Sequence, residues 1–111
     1  AGLFTRGFMG HSVYFFTTKS SDLHDIRYLK IGRSKNWNRR YWDLNTVSPY
    51  PLRILNVIPF ELLYDTTRCE TWFHRRYKNF RVNGEWFEYT EQLKEYLIQD
   101  YIIAREKFRR K

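Results

Sequence analysis

The chain has 111 residues, twenty Lys and Arg against twelve Asp and Glu, a formal charge of +8 and a fifth of its residues aromatic. That length holds one domain with a modest core, and its pI near 9.8 favours polyanionic partners, nucleic acid above all. One cysteine, Cys69, excludes an internal disulfide and a cysteine-rich zinc site and fits an intracellular setting, in cytoplasm or nucleus; no apolar run approaches the ~20 residues of a membrane span.

The first residues, 1–11, are broken and lack an initiator Met, so they read as a terminal segment or remnant ahead of a single domain over 12–108, with a basic tail at 109–111. Ser12 to Thr17 is aromatic and β-branched and predicts a strand. Lys19 to Asp25 is polar and predicts a hairpin loop, and Ile26 to Arg33 predicts the second strand. Alternation puts Leu29 and Ile31 on one face and Tyr28, Lys30 and Gly32 on the other. If Val13 and Phe15 share the buried face, Tyr14 emerges on the same side as Lys30.

Asn36 is a suitable N-cap for a helix to about Thr46, whose stripe is Trp37, Tyr41 and Leu44. Arg40 borders that stripe and is angled toward the sheet, while Arg39 stands four residues before Asp43, the spacing of an ordinary helix ion pair. Pro49 and Pro51 break the chain, and Leu52 to Phe60 predicts a third strand. Thr66 to Phe80 predicts a helix capped near Asp65 or Thr66, with Cys69, Phe73, Tyr77 and Phe80 inward. Asn83-Gly84 signals a turn, Trp86 and Phe87 serve as core anchors, and Thr90 caps a last helix from Glu91 to about Phe108. The order β-β-α-β-α-α predicts an α+β fold: a small three-stranded antiparallel sheet flanked by helices.

The polar residues with the clearest chemistry are Tyr14, Lys30, Arg40 and Glu70, joined by His74 one helical turn after Glu70 and by Glu85 after Gly84. Each also has a plain structural use. Tyr14 fits as a sheet aromatic with its hydroxyl bonded, Lys30 as a snorkelling surface lysine, and Glu70 and His74 as a helical pair. Together they match the needs of phosphodiester hydrolysis. A hard cation can be held by one or two carboxylates, a guanidinium fork suits phosphate oxygens, and a tyrosine takes a proton only where positive charge lowers its pKa from ~10. Arg33, Lys35, Arg39, Arg75, Arg76 and Lys78 surround these positions and are candidate contacts to a nucleic-acid backbone, each equally suited to a solvated basic face.

The segments Ser12-Val13-Tyr14, Lys30-Ile31-Gly32-Arg33-Ser34 and Gly84-Glu85-Trp86-Phe87, with Arg40 and Glu70 between, resemble the GIY-YIG nuclease superfamily, in its small phage and large-DNA-virus branch, over roughly residues 12–89. The resemblance implies a metal-dependent DNA endonuclease using Mg²⁺ or Mn²⁺. Tyr14, Lys30, Arg40, His74 and Glu70 would then be catalytic, Glu70 the metal ligand and Glu85 a group closing the site. Ser12 stands for the family's first glycine, Lys30 for its second tyrosine, Leu44 for a Tyr or His, and Glu85 for Asn. The general base is therefore open, and a catalytically weak or inactive nucleic-acid-binding module of the same fold is the alternative. A third possibility is a protein-interaction domain with an incidental basic surface. The expected partner is DNA, double-stranded and with no membrane; either cleavage is weakly specific, or targeting comes from flanking sequence such as a fused domain, from a partner or from a homodimer.

Overall fold

A computed structural model describes residues 10–18 and 27–109. The expected hairpin loop at Lys19 to Asp25, most of the N-terminal segment and the end of the basic tail lie outside these residues. Among the described residues, five strands and three α-helices follow in the order β1 (His11–Thr18), β2 (Tyr28–Ser34), α1 (Trp37–Val47), β3 (Leu52–Phe60), α2 (Leu63–Arg76), β4 (Arg81–Asn83), β5 (Trp86–Glu88) and α3 (Glu91–Lys107). A single 3-10 turn, Lys78–Phe80, links α2 to β4.

The sheet is antiparallel with strand order β3-β1-β2-β5-β4, so the expectation of three strands is corrected to five. The two extra strands are three residues each, too short to carry an alternation signal. Asn83-Gly84 is indeed a turn, and Gly84 holds φ 54°, a left-handed conformation that glycine adopts without strain. The turn closes a hairpin, so Trp86 and Phe87 form β5 instead of running into the last helix. Pro59 sits in β3, an edge strand, where a missing N–H costs the sheet little.

Strand parity is as the hydrophobic pattern requires. Val13, Phe15, Leu29 and Ile31 are fully buried on one face with Phe87, against Cys69 and Phe73 of α2 and Leu93, Leu97 and Ala104 of α3. Phe15 and Phe73 meet edge to face at 4.8 Å, a favoured aromatic geometry. The opposite face carries Tyr14, Phe16, Lys30 and Gly32, because Tyr14 pairs with Gly32 and Phe16 with Lys30 across β1 and β2.

Helix α1 covers that second face, and none of its residues is fully buried. The Asn36 side chain accepts from the Arg39 N–H at its N-terminus, as the sequence suggests. At its other end the Tyr41 hydroxyl donates to the Leu52 carbonyl at 2.7 Å, and the Leu52 N–H donates to Asn45 Oδ1 at 2.8 Å. Phe16 meets Tyr41 edge-on at 5.2 Å.

Helix α2 begins at Leu63, three residues before the expected Thr66, and its cap position, Leu62, offers no side-chain bond. Asp65 and Thr66 resemble caps in sequence but lie buried in the first turn, where the Thr66 hydroxyl donates back to the Leu62 carbonyl. The expected extension to Phe80 is divided at Tyr77 into α2 and the 3-10 turn. Thr90 caps α3 as expected, accepting from the Leu93 N–H at 3.0 Å.

Candidate functional site

The site follows from a mismatch in strand length. Strand β2 runs to Ser34, but β5 pairs only with Tyr28, Leu29 and Lys30. Beyond Lys30 the flank of β2 is a notch. The Ile31 N–H donates to the Glu85 carbonyl at 3.0 Å, and His74 Nε2 lies 2.9 Å from the Ile31 carbonyl oxygen. A carbonyl only accepts, so Nε2 carries a proton and Nδ1 is the ring nitrogen left for a further partner. The short hairpin thus delivers Glu85, and α2 delivers Glu70 and His74, to one place.

Ligand atoms of Glu70, His74 and Glu85 all lie within 4.8 Å of one another. Atoms around a hard octahedral cation stand ~3–4 Å apart, so a small inward adjustment of these side chains would let the set share one ion. The donor chemistry agrees. Glu70 Oε1 is 3.4 Å from Arg33 Nε, while Glu70 Oε2 is buried with no hydrogen-bond partner among the described residues. A buried carboxylate oxygen without a partner is costly, and either a proton shared with Glu85 or a cation would satisfy it. Burial, and next the negative charge of Glu85, push the Glu70 carboxyl up to about 7, with Arg33 opposing.

Lys30 is almost wholly buried, and its ammonium lies 3.2 Å from Glu85 Oε1 and 5.3 Å from the centre of the Trp86 ring. Tyr14 is 1% exposed, stacked on Phe16 at 4.3 Å, with its hydroxyl close above Gly32. A Cβ at residue 32 would overlap the Tyr14 Oη and Cζ atoms and come 3.0 Å from Glu85 Oε1. Glycine is therefore needed here for close approach. The condition under which Tyr14 could take a proton is not met by these residues: burial raises its pKa above 10, and the Arg40 guanidinium beside the hydroxyl only partly offsets this. Tyr14 keeps its proton at neutral pH and acts as an O–H donor.

Of the sequence candidates, Tyr14, Lys30, Arg40, Glu70, His74 and Glu85 thus converge. Arg33, expected on the backbone-binding surface, is turned to Glu70 instead. Arg39 makes the ordinary helix pair, 3.7 Å from Asp43. Arg76 is held 2.8 Å from the buried carboxylate of Asp100 and over the Trp72 ring, away from the notch. Lys35, Arg75 and Lys78 are exposed. The two ion pairs Lys30–Glu85 and Arg33–Glu70 join residues far apart in sequence and had no local signal.

The fold and this notch define a small α+β domain built around a carboxylate–histidine cluster with flanking cations. The family model of the T5orf172 domain matches residues 11–102, and the chain belongs to that family. This match overturns the resemblance to the GIY-YIG superfamily. The family that covers the motif segments is a distinct one, and the substitutions at Ser12, Lys30, Leu44 and Glu85 mark where the resemblance was incomplete. No curated protein and no solved structure matches the chain. Among the described residues no helix is long and apolar enough to cross a membrane.

Proposed function

We propose that this domain is a metal-dependent DNA endonuclease, hydrolysing phosphodiester bonds in the notch beside β2. The observation that carries the reading is the orphaned, buried Glu70 Oε2 beside Glu85 and His74, an arrangement a divalent cation would complete. Glu70 and Glu85 would hold Mg²⁺ or Mn²⁺, with His74 Nδ1 as a third donor. Bound there, the ion would neutralise charge on the scissile phosphate and the departing oxygen.

The chain's own residues supply the rest. Arg40, exposed on α1 and next to Tyr14, presents a fork for phosphate oxygens. Tyr14 donates its O–H to the attacking water or to a phosphate oxygen and so orients it. Lys30 balances Glu85 and fixes where that carboxylate points. With Tyr14 protonated, the attacking water would lose its proton to a carboxylate oxygen of the cluster, since both ring nitrogens of His74 are engaged. Lys35, Arg39, Arg75 and Lys78 extend a basic surface along the DNA backbone, with Arg33 and Arg76 lending charge while paired.

One observation favours a second reading, a nucleic-acid-binding module that cuts poorly. Lys30 and Arg33 already offset both carboxylates without any ion. Calorimetric titration with Mn²⁺ separates the two. The endonuclease reading expects one bound ion per chain and at least a tenfold loss of affinity in Glu70→Ala. A wild type that takes up no Mn²⁺ would leave the binding module standing.

A further inference from the structure

Helix α2 places the cluster and a second feature on adjoining sides of one cylinder. Successive residues advance ~100° around a helix. From Glu70 and His74, the exposed surface therefore passes to Thr67 and Thr71, then to Arg75 and Arg68. There a cavity of about 300 Å³ opens between α2 and the end of α3, lined by those four residues with Lys107 and Phe108, and floored by Trp72.

Its charge is of one sign. Arg68, Arg75 and Lys107 line it, two threonines add hydroxyls, and no carboxylate lines it. Among the described residues none of the three cations has a carboxylate partner, unlike Arg33, Arg39, Arg76 and Arg109, which all do. Arg68 is ordered by rings instead. Its guanidinium lies 5.4 Å from the Tyr64 centroid and 5.3 Å from that of Phe108. Stacking engages the face of the guanidinium and leaves its N–H edge free to donate. A larger cavity among the described residues, about 730 Å³, is different in kind. There Glu61, Asp65 and Glu106 stand among the cations, Arg109 is bonded to Glu106, and Arg105 to Asn56.

We propose that the groove of Arg68, Arg75 and Lys107 binds backbone phosphates of the nucleic acid whose scissile bond lies in the notch. It rests on the endonuclease reading and gives the path of the strand: across the outer side of α2, from Glu70 past Thr71 to Lys107. Preorganised, unpaired cations and hydroxyl donors in a concave site are what phosphate recognition requires. Trp72 and Phe108 hold the groove's shape.

The test is fluorescence anisotropy of a labelled DNA duplex in EDTA across a salt series. It compares wild type, the double variant Arg75→Gln/Lys107→Gln, and Lys94→Gln, an exposed α3 lysine outside the groove. Each phosphate contact contributes about 0.9 to the slope of log K against log salt. The double variant should bind about tenfold more weakly with a slope shallower by about 1.8, and Lys94→Gln should match wild type. Unchanged melting temperature and Mn²⁺ affinity in the double variant exclude a folding defect. Binding equal to Lys94→Gln, or weaker binding with an unchanged slope, would overturn the groove. So would a loss seen for polyglutamate and not for DNA, which would assign the surface to an acidic protein. If the wild type binds and cuts DNA while the double variant matches the control, only the groove falls. If the wild type binds no DNA, the catalytic reading falls with it.

Discussion

At the scale of single residues, the site depends on how closely Tyr14 and Glu85 approach β2. Gly32→Ala would drive a methyl group into the Tyr14 hydroxyl and ring carbon. Overpacking of this kind costs about 1–3 kcal/mol, and here the strain falls on the two side chains that shape the notch. Gly32→Ala should melt lower and lose most of its cleavage activity; wild-type activity would mean that the hydroxyl moves aside freely. Tyr14→Phe keeps the ring stacked on Phe16 and removes only the donor. A single well-placed donor is worth roughly 10²–10³ in rate. The variant should therefore stay folded, by circular dichroism and melting, while its cleavage rate drops about a hundredfold. Tyr14 and Lys30 were placed on a common face by strand alternation alone. Arg40 was angled toward the sheet by its place at the edge of the helix stripe, but Glu85 arrives from a hairpin whose approach no local pattern encodes.

At the scale of elements, α1 is the least buried of the three described helices and carries Arg40. With no fully buried residue, it depends on its Asn36 cap, the half-buried Trp37, Tyr41 and Leu44, and two bonds to Leu52. Asn36→Ala removes the acceptor for the Arg39 N–H, a loss of about 1 kcal/mol. Its effect should be larger on cleavage than on global melting, since fraying of the first turn displaces Arg40. Equal wild-type turnover would show that Arg40 is held by other means. Both well-capped helices were legible because their caps are local: Asn36 and Thr90 each bond an N–H three residues on. Helix α2 started earlier than expected because burial of Asp65 and Thr66 overrode their resemblance to caps. Strands β4 and β5 were missed because pairing, not alternation, defines strands so short.

For the molecule as a whole, the carboxylate cluster sets how stability responds to acid. The Glu70 carboxyl rises from an ordinary 4.5 to about 7 on folding, through burial and then Glu85. Folding therefore favours its protonated form, so this contribution is fully present below about 4.5 and is lost as pH rises through about 7. Melting temperature measured in EDTA should fall across that window, and the fall should flatten in Glu70→Gln. Adding Mn²⁺ at about pH 8 should raise it again, since an ion bound only by the folded state stabilises it by mass action. A stability flat with pH in both proteins would remove the charge conflict on which the proposed metal site rests. The net charge of +8 was the broadest signal in the sequence, yet it did not say which cations were free. Arg33 and Arg76 are committed to internal carboxylates, whereas Arg68 and Lys107, ordinary helix residues in sequence, border an open groove.

The most direct measurement is conversion of supercoiled plasmid by wild type and Glu70→Ala, each with Mg²⁺ or Mn²⁺ and with EDTA. Metal-dependent nicking or linearisation by the wild type, absent in EDTA and in Glu70→Ala, is the result expected of a hydrolytic site at Glu70. Cutting that persists in Glu70→Ala, or a wild type that binds the plasmid and never cuts it with either metal, would contradict it.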